Sequence, residues 1–514
     1  STQNLTVLSG AVINATTFSM NASVRFNLLG TAGFYQGGGG TGIPGSTGNQ
    51  LLAATSNYHF NGTQNGGSGS YPEFGNLFWE PVASNNGTII NSNLAAPFFG
   101  GMIVRGNFTL NMQSATPFEL RFATGSTSIR NHIINGNLNI IGANSIAVIS
   151  NGSTTVLSTV NVDGDLLVDG GVLRGVNSSG QAIINVKGNI TNQAGTVLSG
   201  AGSGTFSINY TGTAAQSINN TGGTYTFAAN QVDSINNSAG VTLNTALTHS
   251  GTIRFLTGVF NTTATNLLTM DAGSIVLGAS NASFVNGPVS KIGNTDFVFP
   301  VGKTNGGPSG NVNGYVPLSI SNFAGGLPSD QFTAEYIRNS ASALGNITAI
   351  GLDHVSGCDY WTLNRVLGNA TVDLKLSWQE VFNNCSSANP YIDNLPSLVV
   401  AHFDGTEWSS FGATATATGT AASGEVSWPG VSVFSPFSIG SIDFSNPLPI
   451  TLNYFTGVKQ GGSHQLNWKV TCNYTPHTTM VLERSSNGRN FSSINSITAD
   501  AARCNQPFSY TDAA

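Results

Sequence analysis

A short phrase built around a Gly-Asn or Gly-Asp pair returns four times between residues 104 and 192. The central glycines, separated by 30, 28 and 24 residues, are Gly106, Gly136, Gly164 and Gly188. A repeat of this length cannot bury its own apolar face, so such repeats usually stack on their neighbours. The spacing therefore predicts a solenoid.

Each copy of the phrase alternates apolar and polar residues. The residues two positions before and two positions after the glycine are apolar, and the residues directly beside it are polar. This period of two is typical of a strand with one buried face. Such strands, without helical segments between them, predict an all-β fold, namely a right-handed parallel β-helix with one coil per interval. Like residues would then stack about 4.8 Å apart.

The residue after the glycine is Asn or Asp in every copy. In a β-helix these residues form one column, which contains Asn107, Asn137, Asp165 and Asn189. Stacked amides supply hydrogen bonds along the axis of a solenoid. We therefore expect a polar ladder on the outside of the coils.

Length and charge limit the class of protein. The chain has 514 residues, of which 8% are charged, and a net charge of −6. The low charge argues against a disordered chain, and the acidic balance offers nothing to attract nucleic acid. No apolar run reaches the ~18 residues that span a bilayer, so we expect no membrane span. The chain begins at Ser1 without a signal peptide, so we expect a mature secreted protein.

The composition changes along the chain. Residues 1–289 are predicted to form the β-helix, with irregular first coils. Residues 290–445 contain short strands with frequent turn residues, which predicts a β-sandwich. Residues 446–514 are predicted to form a truncated fibronectin type III-like module. Its 69 residues fall short of the roughly 90–100 that such an immunoglobulin-like sandwich needs.

All four cysteines lie in the last third of the chain, at Cys358, Cys385, Cys472 and Cys504. Their spacing suggests the pairs Cys358–Cys385 and Cys472–Cys504, although three connectivities are open. No CxxC spacing occurs, which disfavours zinc. Two disulfides would indicate an oxidising compartment and would each stabilise the fold by roughly 3–4 kcal/mol.

Several segments between residues 282 and 494 carry a resemblance. They read ASFVNGPVSKIGNTDFVFPVGK (282–303), CDYWTLNR (358–365), FSPFSIGS (434–441), NPLPITLNYFTG (446–457) and LERSSNGRNFSSI (482–494). These segments resemble large surface and secreted proteins of the Bacteroidota that the type IX secretion system exports. The resemblance implies an extracellular protein with a β-helix or adhesin-like region ahead of such modules, and it implies no activity. The sorting domain of that family does not follow in this sequence.

The short last module has a physical consequence. A sandwich without an edge strand exposes unpaired backbone groups, which a strand from another subunit can complete. The alternating residues Leu5, Val7, Ala11 and Ile13 make the N-terminal segment a candidate donor strand. Head-to-tail contacts of this kind give open filaments. We expect a homo-polymer, the structural subunit of an extracellular filament or surface appendage. The alternative is a monomeric cell-surface adhesin or stalk, with host or environmental glycans as possible partners.

A third interpretation is a polysaccharide lyase or glycoside hydrolase, because parallel β-helices often carry these activities. Asp163 and Asp165 lie two residues apart on one outward face, and this separation touches the range of inverting glycosidases. The structural interpretation is stronger, since Asp163 shares a column with Lys187 and Asp165 belongs to the Asn column. We therefore expect no enzyme, no catalytic residue and no cofactor. The histidines are scattered singly, so we expect no metal site.

Two further features are an aromatic cluster and an Asp-Ser-Ile triplet. Aromatic residues between Tyr58 and Trp79, among them Tyr71 and Phe78, could stack on sugar rings, but a capping core is the commoner role. The triplet Asp233-Ser234-Ile235 resembles the O-glycosylation triplet of the Bacteroidota, which makes Ser234 a candidate glycan site.

Overall fold

The computed structural model describes most of the chain, and 58% of the chain is strand while 3% is helix. The described residues are 4–15, 25–36, 50–60, 73–81, 101–125, 129–347, 351–385, 390–410, 416–434, 436–443, 446, 451–471, 477–504 and 506–513. The chain divides into two compact units, Ser1–Val285 and Asn286–Ala514. The three-module division, with boundaries after residues 289 and 445, stays a prediction.

The first unit contains only strands among its described elements. They are β1 (Asn4–Val7), β2 (Val12–Ala15), β3 (Arg25–Leu28), β4 (Gly33–Gln36), β5 (Gln50–Leu52), β6 (Asn57–Phe60), β7 (Asn76–Trp79), β8 (Ile103–Val104), β9 (Phe108–Asn111), β10 (Phe118–Arg121), β11 (Thr124–Gly125), β12 (Ile129–Ile134), β13 (Leu138–Ile141), β14 (Ser145–Gly152), β15 (Leu157–Val162), β16 (Leu166–Asp169), β17 (Val172–Val176), β18 (Gln181–Val186), β19 (Ile190–Asn192), β20 (Thr196–Leu198), β21 (Phe206–Tyr210), β22 (Gln216–Asn220), β23 (Thr224–Thr226), β24 (Val232–Asn236), β25 (Val241–Leu243), β26 (Leu247–His249), β27 (Thr252–Thr257), β28 (Phe260–Asn261), β29 (Leu268–Met270) and β30 (Ile275–Leu277). Strand β31 (Val285–Asn286) lies at the boundary between the units.

These strands form a parallel β-solenoid of about 9 turns, which confirms the predicted β-helix in its coarse form. One parallel sheet runs in the order β2-β4-β6-β7-β9-β13-β16-β19-β22-β25-β28. A second runs β8-β12-β15-β18-β21-β24-β27-β30, and a third runs β10-β14-β17-β20-β23. Strands β1, β3 and β5 form a short sheet of their own, and β26 pairs with β29. Each coil therefore contributes one strand to each of several sheets.

The repeated phrase spans a corner of the solenoid. Residues before the glycine end a strand of the second sheet, and residues after it begin a strand of the first, as Ile134 and Leu138 do in one coil. The period of two predicted one strand for each copy, and this detail was wrong. The chain turns at Gly-Asx because it passes there from one sheet to the next.

Apolar columns on both sides of this corner form the solenoid core. Val104, Ile134, Val162 and Val186 are stacked in register, and so are Phe108, Leu138, Leu166 and Ile190. Each of these eight side chains is at most 1% exposed. Burying such a side chain contributes roughly 1.5–3 kcal/mol, so the columns are the main source of cohesion between coils.

The second unit is mainly antiparallel. Its strands are β32 (Val289–Ile292), β33 (Phe297–Phe299), β34 (Val301–Gly306), β35 (Val312–Tyr315), β36 (Leu318–Ala324), β37 (Gln331–Ile337), β38 (Asn346–Ile347), β39 (His354–Val355), β40 (Tyr360–Leu367), β41 (Thr371–Gln379), β42 (Leu398–Phe403), β43 (Glu407–Ser410), β44 (Thr416–Thr420), β45 (Ser423–Val431), β46 (Pro436–Ser441), β47 (Thr451–Gln460), β48 (Ser463–Thr471), β49 (His477–Arg484), β50 (Ser492–Asp500) and β51 (Phe508–Ala513). Its helices are the α-helices α1 (Glu380–Asn383) and α2 (Ala501–Cys504) and the 3-10 turns Ala341–Ala343 and Leu395–Ser397.

Four sheets and the antiparallel pair β34-β35 organise this unit. The first runs β32-β37-β40-β46-β42-β43-β38, with β39 beside β46, and the second runs β33-β36-β41-β45-β44. Nearest the C-terminus, β47-β48-β51 and β49-β50 form two small sheets. These two share one apolar cluster, in which Trp468, Val470 and Phe508 pack with Leu482 and Ala499.

Candidate functional site

The predicted polar ladder is present on the corner of the solenoid. The side-chain oxygen of each Asx residue accepts the backbone N–H of the equivalent residue in the next coil. Asn107 Oδ1 accepts from Asn137 N (2.8 Å), Asn137 Oδ1 from Asp165 N (2.8 Å), and Asp165 Oδ1 from Asn189 N (2.6 Å). The ladder extends to Asn76 at one end and Ser217 at the other. The acceptor is thus a side chain and the donor is backbone, so Asn and Asp serve equally well.

The ladder explains the glycine before each Asx residue. A Cβ on Gly136 would lie 2.3 Å from Asn107 Oδ1, and a Cβ on Gly164 would lie 2.2 Å from Asn137 Oδ1. Gly106 and Gly188 are blocked in the same way, at 2.1 and 2.4 Å. The Asx side chains of residues 76, 107, 137 and 165 therefore each fold over the glycine of the following coil, and only glycine leaves room for them.

The candidate catalytic pair is engaged in these contacts. Asp163 Oδ1 lies 2.8 Å from Lys187 Nζ, as the shared column predicted, and both side chains are partly exposed. An exposed ion pair of this kind contributes only about 0–1 kcal/mol. Asp165 belongs to the ladder. Each carboxylate has a structural partner in the neighbouring coil, and the geometry gives no reason to assign acid–base chemistry to the pair.

A second ladder was missed by the sequence reasoning. On the outward face of the second sheet, Asn161 Nδ2 donates to Asn131 Oδ1 (2.7 Å), Asn185 Nδ2 to Asn161 Oδ1 (2.8 Å) and Asn209 Nδ2 to Asn185 Oδ1 (2.8 Å). Asn161, Asn185 and Asn209 are 24 residues apart, and this spacing was the available signal. The outer surface of these coils is thus occupied by amide–amide bonds along the solenoid axis.

Ser234 continues the column of the second ladder. It is the register partner of Asn209 on one side and of Arg254 on the other, and it is half-buried. Its neighbour Asp233 points inward and is 2% exposed. Asp233 Oδ1 accepts from Ile208 N (2.9 Å). The acidic residue of the glycosylation triplet therefore has a structural role, and modification of Ser234 stays a prediction.

The contacts of His249 indicate its tautomer in this buried network. Gly251 N donates to His249 Nδ1 (3.2 Å), so Nε2 carries the ring proton and faces Asp233 Oδ2 (3.3 Å). Asp233 also accepts from Gln231 Nε2 (2.6 Å), and Gln231 Oε1 accepts from Ser199 Oγ (2.8 Å). Although Ser, Asp and His are all present, the serine contacts the glutamine, so the geometry lacks the nucleophile–base pair of a hydrolase.

The aromatic residues of the first coils divide between core and surface. Tyr58, Phe60, Phe74 and Trp79 are buried, as the capping-core interpretation predicted, and Tyr71 lies outside the described residues. Phe78 faces outward and stacks on His59 at 4.3 Å, and His59 stacks on Tyr35 at 4.1 Å. The ring faces in this column cover one another, so they are not presented to a sugar ring.

In the second unit the CDYW segment forms a buried polar centre. The predicted disulfide Cys358–Cys385 is present. Asp359 is fully buried, and its Oδ2 accepts from Tyr336 Oη (2.8 Å) and Asn383 Nδ2 (2.6 Å). Its Oδ1 accepts from Tyr391 Oη (2.7 Å) and Ser356 Oγ (2.7 Å). Burial and the neighbouring carboxylate raise the pKa of both tyrosines well above the usual value, so both remain donors. This centre joins β37, α1 and the loop segments that contain Ser356 and Tyr391.

The second predicted disulfide is described in part. Cys504 is disulfide-bonded, and Cys472 lies outside the described residues.

The last two sheets leave apolar side chains uncovered. Every described side chain of β47 from Leu452 onward is exposed. Phe455 is the register partner of the buried Trp468, yet Phe455 is 51% exposed. Val481 on β49 is 53% exposed, and β49 pairs only with β50 among the described strands. We use the name C-terminal apolar surface for β47 and β49 together with their exposed apolar side chains, which include Phe455 and Val481. It combines uncovered apolar groups with an unpaired strand edge.

The predicted donor segment is the first coil of the solenoid. Strand β1, which contains Leu5 and Val7, pairs in parallel with β3, and β2, which contains Ile13, pairs with β4. Ala11 lies between these strands and is exposed. Val7 is 3% exposed, so the segment is partly integrated in the solenoid core. Within the described residues the outer edges of β1 and β2 have no partner strand.

Among the described residues, no group of three or more His, Cys, Asp or Glu side chains is placed to hold a metal ion. No helix in the described part of the chain is both long and apolar enough to cross a membrane.

Comparisons with known proteins do not assign the chain. It matches no protein family, no curated protein and no solved structure.

Proposed function

We propose that the protein is a structural subunit of an extracellular filament or surface appendage, assembled head to tail by strand complementation. The observation that supports this proposal is the presence of an open strand edge with exposed apolar side chains in each unit. One is the outer edge of the first coil, where Leu8 and Val12 are 65% and 62% exposed. The other is the C-terminal apolar surface.

Open strand edges favour association because their N–H and C=O groups lack partners. The two edges differ, so a contact between them is heterologous. A growing filament then keeps a free first-coil edge at one end and a free β49 edge at the other. In this proposal the first coil keeps its place in the solenoid and pairs through its outer edge with β49 of the next subunit. Because Val7 is already buried in the solenoid, this arrangement is favoured over release of the whole N-terminal segment.

The finer architecture belongs to the same proposal. The β-helix is right-handed, residues 290–445 form a β-sandwich, and residues 446–514 form an incomplete fibronectin-like sandwich. The disulfide Cys358–Cys385 supports an oxidising, extracellular location, and the resemblance to type IX-secreted surface proteins of the Bacteroidota agrees with it. A structural role rather than catalysis is supported by the bonding of Asp163 and Asp165 within the coils.

The test uses charge to block one edge at a time. Lysine on a strand edge opposes pairing, so Val12→Lys blocks the first coil and Val481→Lys blocks β49. We expect filaments of the unmodified chain in negative-stain micrographs and none with either variant alone. Because each variant retains one intact edge, an equimolar mixture should form heterodimers and nothing longer, as read by sedimentation velocity.

Val366→Lys is the matched control, since Val366 is 58% exposed and lies outside both edges. Its filaments should equal those of the unmodified chain. An unmodified chain that stays monomeric at high concentration contradicts the filament and favours the alternative, a monomeric adhesin or stalk. Heterodimers absent from the mixture would contradict pairing between these two edges.

A further inference from the structure

A cleft of about 470 Å³ opens at one end of the β33-β36-β41-β45-β44 sheet in the second unit. It is lined by three chain segments that contain Tyr315 and Pro317, Ser377 to Gln379, and Ala422 to Glu425. Pairing of Leu318 with Leu376 and of Gln379 with Ser423 brings these segments together. The volume is in the range of small-molecule sites in proteins.

One part of the lining is apolar and rigid. The indole of Trp378 is held by a hydrogen bond from Nε1 to Thr420 O (3.1 Å). A Cβ on Gly424 would lie 2.4 Å from the indole ring, so glycine allows β45 to approach it. Val381 lines the cleft and is 65% exposed. Trp378 is 1% exposed and packs beneath the lining, so the exposed side chain of Val381 is the apolar surface that these groups offer to a ligand.

The polar part of the lining is rich in acceptors. Ser377 Oγ donates its only proton to Pro317 O (2.8 Å), so towards a ligand it can only accept. The Glu425 carboxylate, 3.3 Å from Lys375 Nζ, also only accepts. Gln379 Nε2 donates to Tyr315 O (2.7 Å), which orients that amide. Burial, with a smaller effect of Glu425, raises the pKa of Tyr315 to about 12, so its hydroxyl stays protonated at neutral pH.

We propose that this cleft binds a neutral carbohydrate. Sugar hydroxyls supply the protons that fixed acceptors require, and the C–H face of a sugar ring can pack on the exposed Val381 side chain. None of the lining residues is Lys, Arg or His, and Lys375 is already paired with Glu425, so a phosphate or carboxylate ligand would meet a carboxylate and no cation of the lining. The proposal is independent of filament assembly, because it concerns a different sheet and different residues.

The test is calorimetric titration of the full chain with four neutral disaccharides: cellobiose, maltose, lactose and N,N′-diacetylchitobiose. We expect at least one to bind with one site per chain. Ala422→Trp places a large side chain at the rim of the cleft and should weaken that binding at least about tenfold. Glu425→Gln removes a charged acceptor and should also weaken it about tenfold.

Ala421→Trp is the matched control, because Ala421 is exposed, adjacent in sequence and absent from the lining. Its affinity should equal that of the unmodified chain. The proposal is overturned if none of the four disaccharides binds the unmodified chain. It is also overturned if Ala422→Trp and Glu425→Gln both bind like the Ala421→Trp control.

Discussion

Replacing Gly164 with alanine tests the ladder directly. The backbone of Gly164 does not adopt a positive φ, so alanine is conformationally allowed there. At such a position Gly→Ala normally stabilises a protein by about 0.4–1 kcal/mol, because it restricts the unfolded chain. The ladder predicts the opposite sign, since the new Cβ would lie 2.2 Å from Asn137 Oδ1 and 2.8 Å from backbone atoms of Gly136.

The magnitude follows from two effects. Displacing Asn137 breaks its bond to Asp165 N, a loss of about 1 kcal/mol, and leaves that amide without its acceptor. Forcing a methyl group into a closed contact costs about 1–3 kcal/mol more. We therefore expect Gly164→Ala to destabilise these coils by about 2–4 kcal/mol. Since a solenoid coil is stabilised by its nearest neighbours, the effect should be local.

Hydrogen exchange measured by mass spectrometry reads this local free energy. Amides around Asp165 should exchange about 30- to 800-fold faster in Gly164→Ala, which corresponds to 2–4 kcal/mol at about 1.4 kcal/mol per tenfold change. Gly462→Ala is the control, because no atom lies within 4 Å of its added Cβ, and it should be neutral or slightly stabilising. In the double variant Asn137→Ala/Gly164→Ala the clash with the Asn137 side chain is gone. The destabilisation of the double variant should therefore be smaller than the sum of the two single-variant destabilisations. Unchanged exchange in Gly164→Ala, or strict additivity, would refute the reasoning.

Two further predictions concern buried polar groups. Desolvation lowers the pKa of His132 to about 4 from 6.5, so the folded chain keeps this residue neutral while the unfolded chain becomes protonated below pH 6.5. The corresponding stability is complete above pH 6.5 and is lost as the pH falls towards 4, by up to about 3 kcal/mol. His132→Gln should remove this part of the pH dependence of the urea midpoint, and an unchanged dependence would count against it. Asp359→Ala leaves four buried donors without an acceptor and should cost about 3–5 kcal/mol by thermal unfolding, whereas Asp359→Asn should cost less; equal losses would contradict the hub role.

Local pattern was sufficient for the solenoid because a β-helix reuses the same short-range rules in every coil. The Gly-Asx phrase predicted coil length and the ladder, and Asp163 and Lys187 were correctly assigned to one column. The spacing suggested the pair Cys358–Cys385 among three open connectivities, and the structure contains that pair. The second Asn ladder was missed since its residues lie in strands of ordinary alternation, and only their common spacing marked them.

The candidate sites were less accessible to sequence reasoning. Asp359 looks like any surface carboxylate in the sequence, and its four donors come from separate segments. The donor segment was recognised by its alternation, but its place in the first coil depends on pairing with β3 and β4.

The sequence by itself determined the stacked coils. The apolar alternation and the glycine recur once in every coil, so each of these residues meets its equivalent in the next coil. Only the tertiary structure decided where the chain turns a corner and what the second unit presents to solvent. Tyr315, Trp378 and Glu425 line one cleft because antiparallel pairing joins strands that are distant along the chain. No periodic pattern in the sequence marks residues that are brought together in this way, so only the tertiary structure identifies this cleft.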